Sequence, residues 1–253
     1  AALALPRGKL PLSDIKKARS LCVIAQQPAF VLPLIACIAS YGTMVWLMIM
    51  TSSSMLDSGF TFEDSTNAIM GHMLGMFLPS FATGYIMKAI GAPITGLLGS
   101  LILILSACLF FIGRTLPVYI AGVALVGLGW NWAFISSSTL VTFSYIPAEK
   151  FKAQAMFDML VFGTVAIIMV IAGYVYIGLG DTVASSTTST NSSIIINETT
   201  ATPAEVLDAR WFGTVGINVG IELVGLVCII AVGSISARSR AQFAKELAAL
   251  QAA

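Results

Sequence analysis

Charge is what this 253-residue sequence has least of. Asp, Glu, Lys and Arg make up only 10% of it, where a soluble globular domain carries roughly 25%. Thirteen basic and twelve acidic side chains are too few to cover a soluble surface. That excludes a disordered chain, a coiled coil and an ordinary cytosolic enzyme. The net charge of +1 leaves no basic stripe for nucleic acid. Histidine occurs once, so there is neither an H-E-x-x-H pair nor a histidine cluster for a metal. No G-x-S-x-G nucleophile turn is present. Gly122 and Gly127 have phosphate-loop spacing, but no lysine follows, so no ATP site is expected. Cys22, Cys37, Cys108 and Cys228 are the only cysteines. They form no C-x-x-C, and three lie in apolar runs, which suggests neither a disulfide framework nor a zinc site. No catalytic residue, metal or cofactor is expected. The chain begins at Ala1 rather than Met, as a processed chain or a piece of a longer one would.

What is present is apolar: 57% of the residues are hydrophobic. A helical span needs about 20 mainly apolar residues. Six such runs occur, at 30–52, 68–90, 94–112, 118–143, 155–179 and 211–235. The expected fold is all-α, a polytopic protein of the lipid bilayer. The expected organisation is a basic segment over 1–27, a six-helix body over 28–236 with a long loop at 180–210, and a tail over 237–253 that reads as a short, partly amphipathic helix. Six spans require both termini on one side. If that side is the cytoplasm, it holds Arg7, Lys9, Lys16, Lys17, Arg19, Lys88, Lys150, Lys152, Arg238, Arg240 and Lys245, leaving Arg114 and Arg210 outside. The excess of inside basic residues favours this orientation. The 180–210 loop is then extracytoplasmic. It carries two N-glycosylation triplets, at Asn191 and Asn197. If the triplets are used, they imply a eukaryotic secretory-route membrane such as the plasma membrane. If not, the loop is a bare polar tether.

The stretch from Gly71 to Gly84, GHMLGMFLPSFATG, resembles the second helix of a half of the major facilitator superfamily. Gly84 and Gly91 stand seven apart across the next turn, similar to that superfamily's inner-loop motif. Lys88 occupies the motif's acidic position, and Ala92 and Pro93 replace its basic pair. Such erosion resembles a carboxy-terminal half. Residues 127–132 and 154–166 resemble the tenth and eleventh helices, and Gln27-Pro28 with Ser40-Tyr41-Gly42 fits the start of the same half. The resemblance covers about residues 20–235. It implies secondary transport of a small-molecule substrate by alternating access, ion- or proton-coupled. It also implies a partner: an amino-terminal six-helix half, upstream or on a second chain. Spans one, two, four and five would line the central cavity. The eroded motif also suits another reading, a structural, receptor-like or assembly subunit that kept the helices and lost transport.

Ionisable groups inside a bilayer cost about 2.5–3.5 kcal/mol or more and are functional candidates by default. His72, Asp158 and Glu222 are three such residues. At ~1.5 Å rise per residue, His72 and Asp158 differ in depth by roughly 15 Å and cannot pair. By resemblance both face the cavity. For His72 the alternative is a neutral ring bonded to a backbone carbonyl; for Asp158 it is a structural hydrogen bond at the inner mouth. Glu222 is expected either to be protonated or to point inward with Asn218, one turn away. Asp158 and Glu222 are the coupling candidates. Tyr41, His72, Met76, Trp130 and Asn131 are the candidates for the substrate cavity, offering an amide and indoles on an apolar background. Two further expectations concern packing. Pro79 should interrupt span two. Gly71 with Gly75, Gly216 with Gly220, and Gly122, Gly127 and Gly129 should permit close helix approach.

Overall fold

The computed structural model describes residues 19–189 and 203–252. A short helix, α1 (Leu21–Ala25), precedes α2 (Pro28–Asp57). Then come α3 (Phe62–Phe77), α4 (Ser80–Ile90), α5 (Ala92–Leu109) and α6 (Leu116–Val141). Two single 3₁₀ turns lead into α7 (Lys150–Ser189), and α8 (Pro203–Ala252) follows. No strand occurs among the described residues. Six helical segments are long and apolar enough to cross a membrane: Pro28–Asp57, Phe62–Ile90, Ala92–Leu109, Leu116–Ser144, Pro147–Tyr176 and Trp211–Ile235. The protein is an all-α polytopic membrane protein.

Several helices outrun the apolar windows. The loop expected over 180–210 is helical to Ser189 and again from Pro203, and α8 continues unbroken into the tail. Hydropathy bounds only the lipid-facing part of a helix. The Ala-, Glu-, Lys- and Gln-bearing tail consists largely of strong helix formers. Span two starts early because Thr61 and Asp64 form a reciprocal capping box, which fixes the helix start ahead of the apolar run.

Span two is broken where proline removes an amide donor. The chain turns at Leu78–Pro79 between α3 and α4. Hydroxyls answer the carbonyls there: Ser80 Oγ donates to Met76 O (3.0 Å) and Thr83 Oγ1 to Pro79 O (2.9 Å). At the other end of α4 a single residue, Gly91, reverses the chain into α5 with φ +90°. An L side chain rarely adopts that value, which is why glycine stands there.

Span four is the hub. In lipid there is little hydrophobic drive between helices, so association follows close packing of small residues. A Cβ on Gly75 would lie 2.2 Å from Ala124 O, and one on Gly127 would lie 2.4 Å from His72 O. Spans two and four therefore touch backbone to backbone. Spans three and four do the same at Gly99, where a Cβ would meet Ala133 N at 2.5 Å. Span six departs from expectation. Gly216 and Gly220 have no atom within 4 Å of a built Cβ, whereas Gly225 faces Ala39 of span one at 2.7 Å. Four-residue spacing marks a face of small residues, but which face meets a neighbour depends on packing the spacing does not encode.

Candidate functional site

Two side-chain groups stand on span four, one reaching spans one and five and the other reaching span two. The first is aromatic. Tyr41 of α2 lies 5.5 Å from Trp130 and 5.9 Å from Phe134, both of α6, and 5.7 Å from Phe162 of α7, ring centre to ring centre. Trp130 and Phe134 stack at 4.9 Å, because i and i+4 on a helix share a face. The result is a continuous ring surface shared by three spans. The Trp130 indole N–H, enclosed in this group, makes no hydrogen bond. A flat apolar face of this kind suits a planar solute.

The second group is amide and hydroxyl. Asn131 follows Trp130 and so points about 100° away around the helix. Its Nδ2 donates to Ser80 Oγ (2.5 Å), and its Oδ1 accepts from Thr83 Oγ1 (2.7 Å). Asn131 thus ties span four to the two residues that repair the Pro79 break. Of the five cavity candidates, the structure brings Tyr41 and Trp130 together and sends Asn131 toward span two.

His72 is buried, and its Nδ1 lies 3.1 Å from Val123 O across the glycine contact. This is the backbone-carbonyl arrangement that stood as the alternative for that residue. Met76 is half-buried beside it, and its backbone N lies 2.8 Å from a Cβ built on Gly127.

Asp158 is half-buried at the start of span five and accepts from Gln154 Nε2 (2.9 Å). Gln154 Oε1 in turn accepts from Tyr145 Oη (3.4 Å). Asp158 and His72 have separate partners. Glu222 is 1% exposed and Asn218 fully buried, with Asn218 Nδ2 donating to Thr43 O of span one (3.3 Å). Lys88 reaches back over the Tyr85 ring at 5.9 Å, and a Cβ on Gly84 would meet nothing. Asn191 and Asn197 lie outside the described residues.

Sequence reasoning missed one anchor. Glu149, in the turn before span five, has a fully enclosed side chain. It accepts from Arg19 N (2.7 Å), Arg19 Nε (2.9 Å), Arg19 Nη2 (2.7 Å) and Ile146 N (3.1 Å). The fork-shaped guanidinium and the planar carboxylate match in geometry. The carboxylate holds the Arg19 guanidinium above its ordinary pKa. Arg19 also donates to Ser144 O (3.1 Å). The pair clamps the segment ahead of span one onto the connection between spans four and five. A separation of 130 residues hides it from any local reading.

No protein-family model matches the chain. No solved structure matches it. Among curated proteins it is similar to the riboflavin transporter RfnT of Brucella anthropi, 33% identical over 155 residues that cover 61% of this chain and 39% of that protein. It is similar to the uncharacterized MFS-type transporter YdeG of Bacillus subtilis, 29% identical over 143 residues, 54% of this chain and 33% of that protein. It is also similar to the uncharacterized MFS-type transporter YddS of the same organism, 27% identical over 119 residues, 46% of this chain and 27% of that protein. The chain matches well under half the length of each of these relatives, and all three are named as transporters.

Proposed function

We propose that this chain is the carboxy-terminal six-helix half of a major facilitator superfamily transporter. It moves a small solute by alternating access about a mid-membrane site, driven by an ion or proton gradient. The observation that carries this reading is the uneven cover of the spans. The apolar windows of spans two and five are only 6% and 22% buried, against 39–56% for the other four. Met73, Phe77, Phe81 and Tyr85 of span two, and Met159 and Phe162 of span five, stand exposed. An amino-terminal half, upstream or on a second chain, would close over those two spans. The aromatic surface around Trp130 faces the solute in this reading. Similarity to a riboflavin transporter makes a flavin the first solute to try.

The test is uptake of labelled riboflavin by full-length protein in proteoliposomes, with and without a proton or sodium gradient. The expected result is uptake above empty vesicles, with Trp130→Ala reducing it. Vesicles that take up neither riboflavin nor other planar heterocycles under any gradient would favour the non-transporting subunit. Asp158→Asn is expected to abolish gradient-driven accumulation and to spare exchange without a gradient. Wild-type accumulation in Asp158→Asn would reduce Asp158 to a hydrogen-bond acceptor for Gln154.

Orientation has its own test. In this reading the 180–210 loop is extracytoplasmic and both termini are cytoplasmic. Expressed in a eukaryotic host, the protein should carry sugar at Asn191 or Asn197. Glycosidase should then lower its gel mobility mass, and Asn191→Gln with Asn197→Gln should remove the shift. A cysteine at Ser239 that reacts with an impermeant reagent on intact cells would reverse the orientation.

A further inference from the structure

Away from the aromatic surface, spans one, three and six enclose a second polar group. Its members are Thr43 of α2, Ser100 of α5, and Asn218 and Glu222 of α8. Thr43, Ser100 and Asn218 are 0% exposed and Glu222 is 1% exposed. The Thr43 and Ser100 hydroxyls lie against the Glu222 carboxylate. Asn218, one turn before Glu222 on the same face, is tied to the Thr43 backbone carbonyl through its Nδ2. Gly225 lets α8 approach Ala39, and a Cβ at that position would lie 3.7 Å from Glu222 Oε1. Thr43, Ser100 and Glu222 each stand within about one residue of the middle of their span.

Five oxygens of this group complete no hydrogen bond of ordinary geometry: Thr43 Oγ1, Ser100 Oγ, Asn218 Oδ1 and both carboxylate oxygens of Glu222. Buried polar atoms are nearly always paired, and a set of unpaired ones requires an explanation. The Thr43 and Ser100 hydroxyls are near enough to bond the carboxylate, yet none of the five oxygens reaches a partner in ordinary hydrogen-bond geometry. An ionised carboxylate at mid-membrane is expensive unless a positive charge sits beside it. No Lys or Arg contacts it: in α2, α5 and the Trp211–Ile235 span, neither residue type occurs. The donor set is all oxygen, which suits a hard cation. One carboxylate balances one charge, and no cluster of three or more His, Cys, Asp or Glu occurs among the described residues.

We infer that Glu222, Thr43, Ser100 and Asn218 form a binding site for a monovalent cation of about sodium's size, at mid-membrane between spans one, three and six. Binding stands on this geometry alone. Its use as the coupling ion rests on the transport reading. Span six and span one are held together there, so an ion that enters neutralises Glu222 and tightens their contact.

The experiment is thermal unfolding of full-length protein in detergent at fixed pH. NaCl is titrated against choline chloride at constant ionic strength, with KCl in parallel. The expected result is a melting temperature that rises and saturates with NaCl but not with KCl or choline chloride. Glu222→Gln, which keeps the shape, removes the rise. Ser100→Ala and Thr43→Val increase the half-saturating NaCl several-fold, and they keep the test open if Glu222→Gln does not fold. A wild-type protein equally stable in NaCl and choline chloride overturns the site. So does a sodium effect that survives in all three variants, or a melting temperature that responds only to pH through Glu222. Riboflavin uptake without a sodium effect would remove this site and leave the transport reading intact. A sodium effect without uptake of any solute would do the reverse.

Discussion

Gly75→Val is expected to leave little folded protein. The Cβ would sit 2.2 Å from Ala124 O and 3.0 Å from Ala124 C. Both are helix backbone and cannot rotate aside, as a flexible side chain could. Spans two and four would have to separate along their whole contact, pulling His72 from Val123 O and Asn131 from Ser80 and Thr83. Even Gly75→Ala should cost about 1–3 kcal/mol or more, the usual range for overpacking. Gly127→Ala should behave alike, since its Cβ would meet His72 O at 2.4 Å. Gly84→Val is the matched control, with nothing within 4 Å of its Cβ. The measurement is thermal unfolding in detergent, followed by tryptophan fluorescence. Gly75→Ala melting with wild type would show that the helices give way more easily than backbone contact allows. A Gly84 variant that melts normally but transports poorly would identify its face as one met by the proposed amino-terminal half.

Breaking the Arg19–Glu149 clamp should have the next largest effect. Glu149→Ala removes the acceptor of three Arg19 donors and the Ile146 amide. Arg19→Ala leaves an enclosed carboxylate short of its guanidinium, and buried charge without a partner is strongly destabilising. Arg19→Lys is expected to rescue only in part, since an ammonium cannot reproduce the fork. The segment before span one should then detach. Trypsin cleavage after Arg19 should be slow in wild type and fast in Glu149→Ala. Reversing both charges, Arg19→Glu with Glu149→Arg, should recover more stability than either change alone. Equal cleavage rates in wild type and Glu149→Ala would show that the contact does not hold the segment.

These two contacts show what a sequence carries and what it hides. Span number and position are legible because an apolar run is a local property. The interruption at Pro79 is legible because the missing amide belongs to one residue. Gly75 is legible in part, as a small residue at the right spacing, but Gly216 and Gly220 have the same spacing and pack against nothing. Pairwise facts are not local. Glu222 stands out as a charge in an apolar run, yet the hydroxyls beside it come from positions 43 and 100, in two other helices. Trp130 and Asn131 were legible as polar or aromatic candidates mid-span. Their divergent directions, one into a ring cluster and the other toward span two, come only from the helix's rotation in the bundle.

The single-residue turn at Gly91 limits how the bundle can move. Spans two and three are joined there by one residue of fixed, left-handed backbone, and each also grips span four through backbone-close glycine contacts. These three helices are the most closely packed part of the bundle. Span five lacks any backbone-close glycine contact: a Cβ on Gly163 or Gly173 would meet nothing, and the tight approach at Gly42 is to the flexible end of Ile168. Span five is therefore held to its neighbours by side-chain rather than backbone contact, and the triplet of spans two, three and four is the closely packed frame beside it.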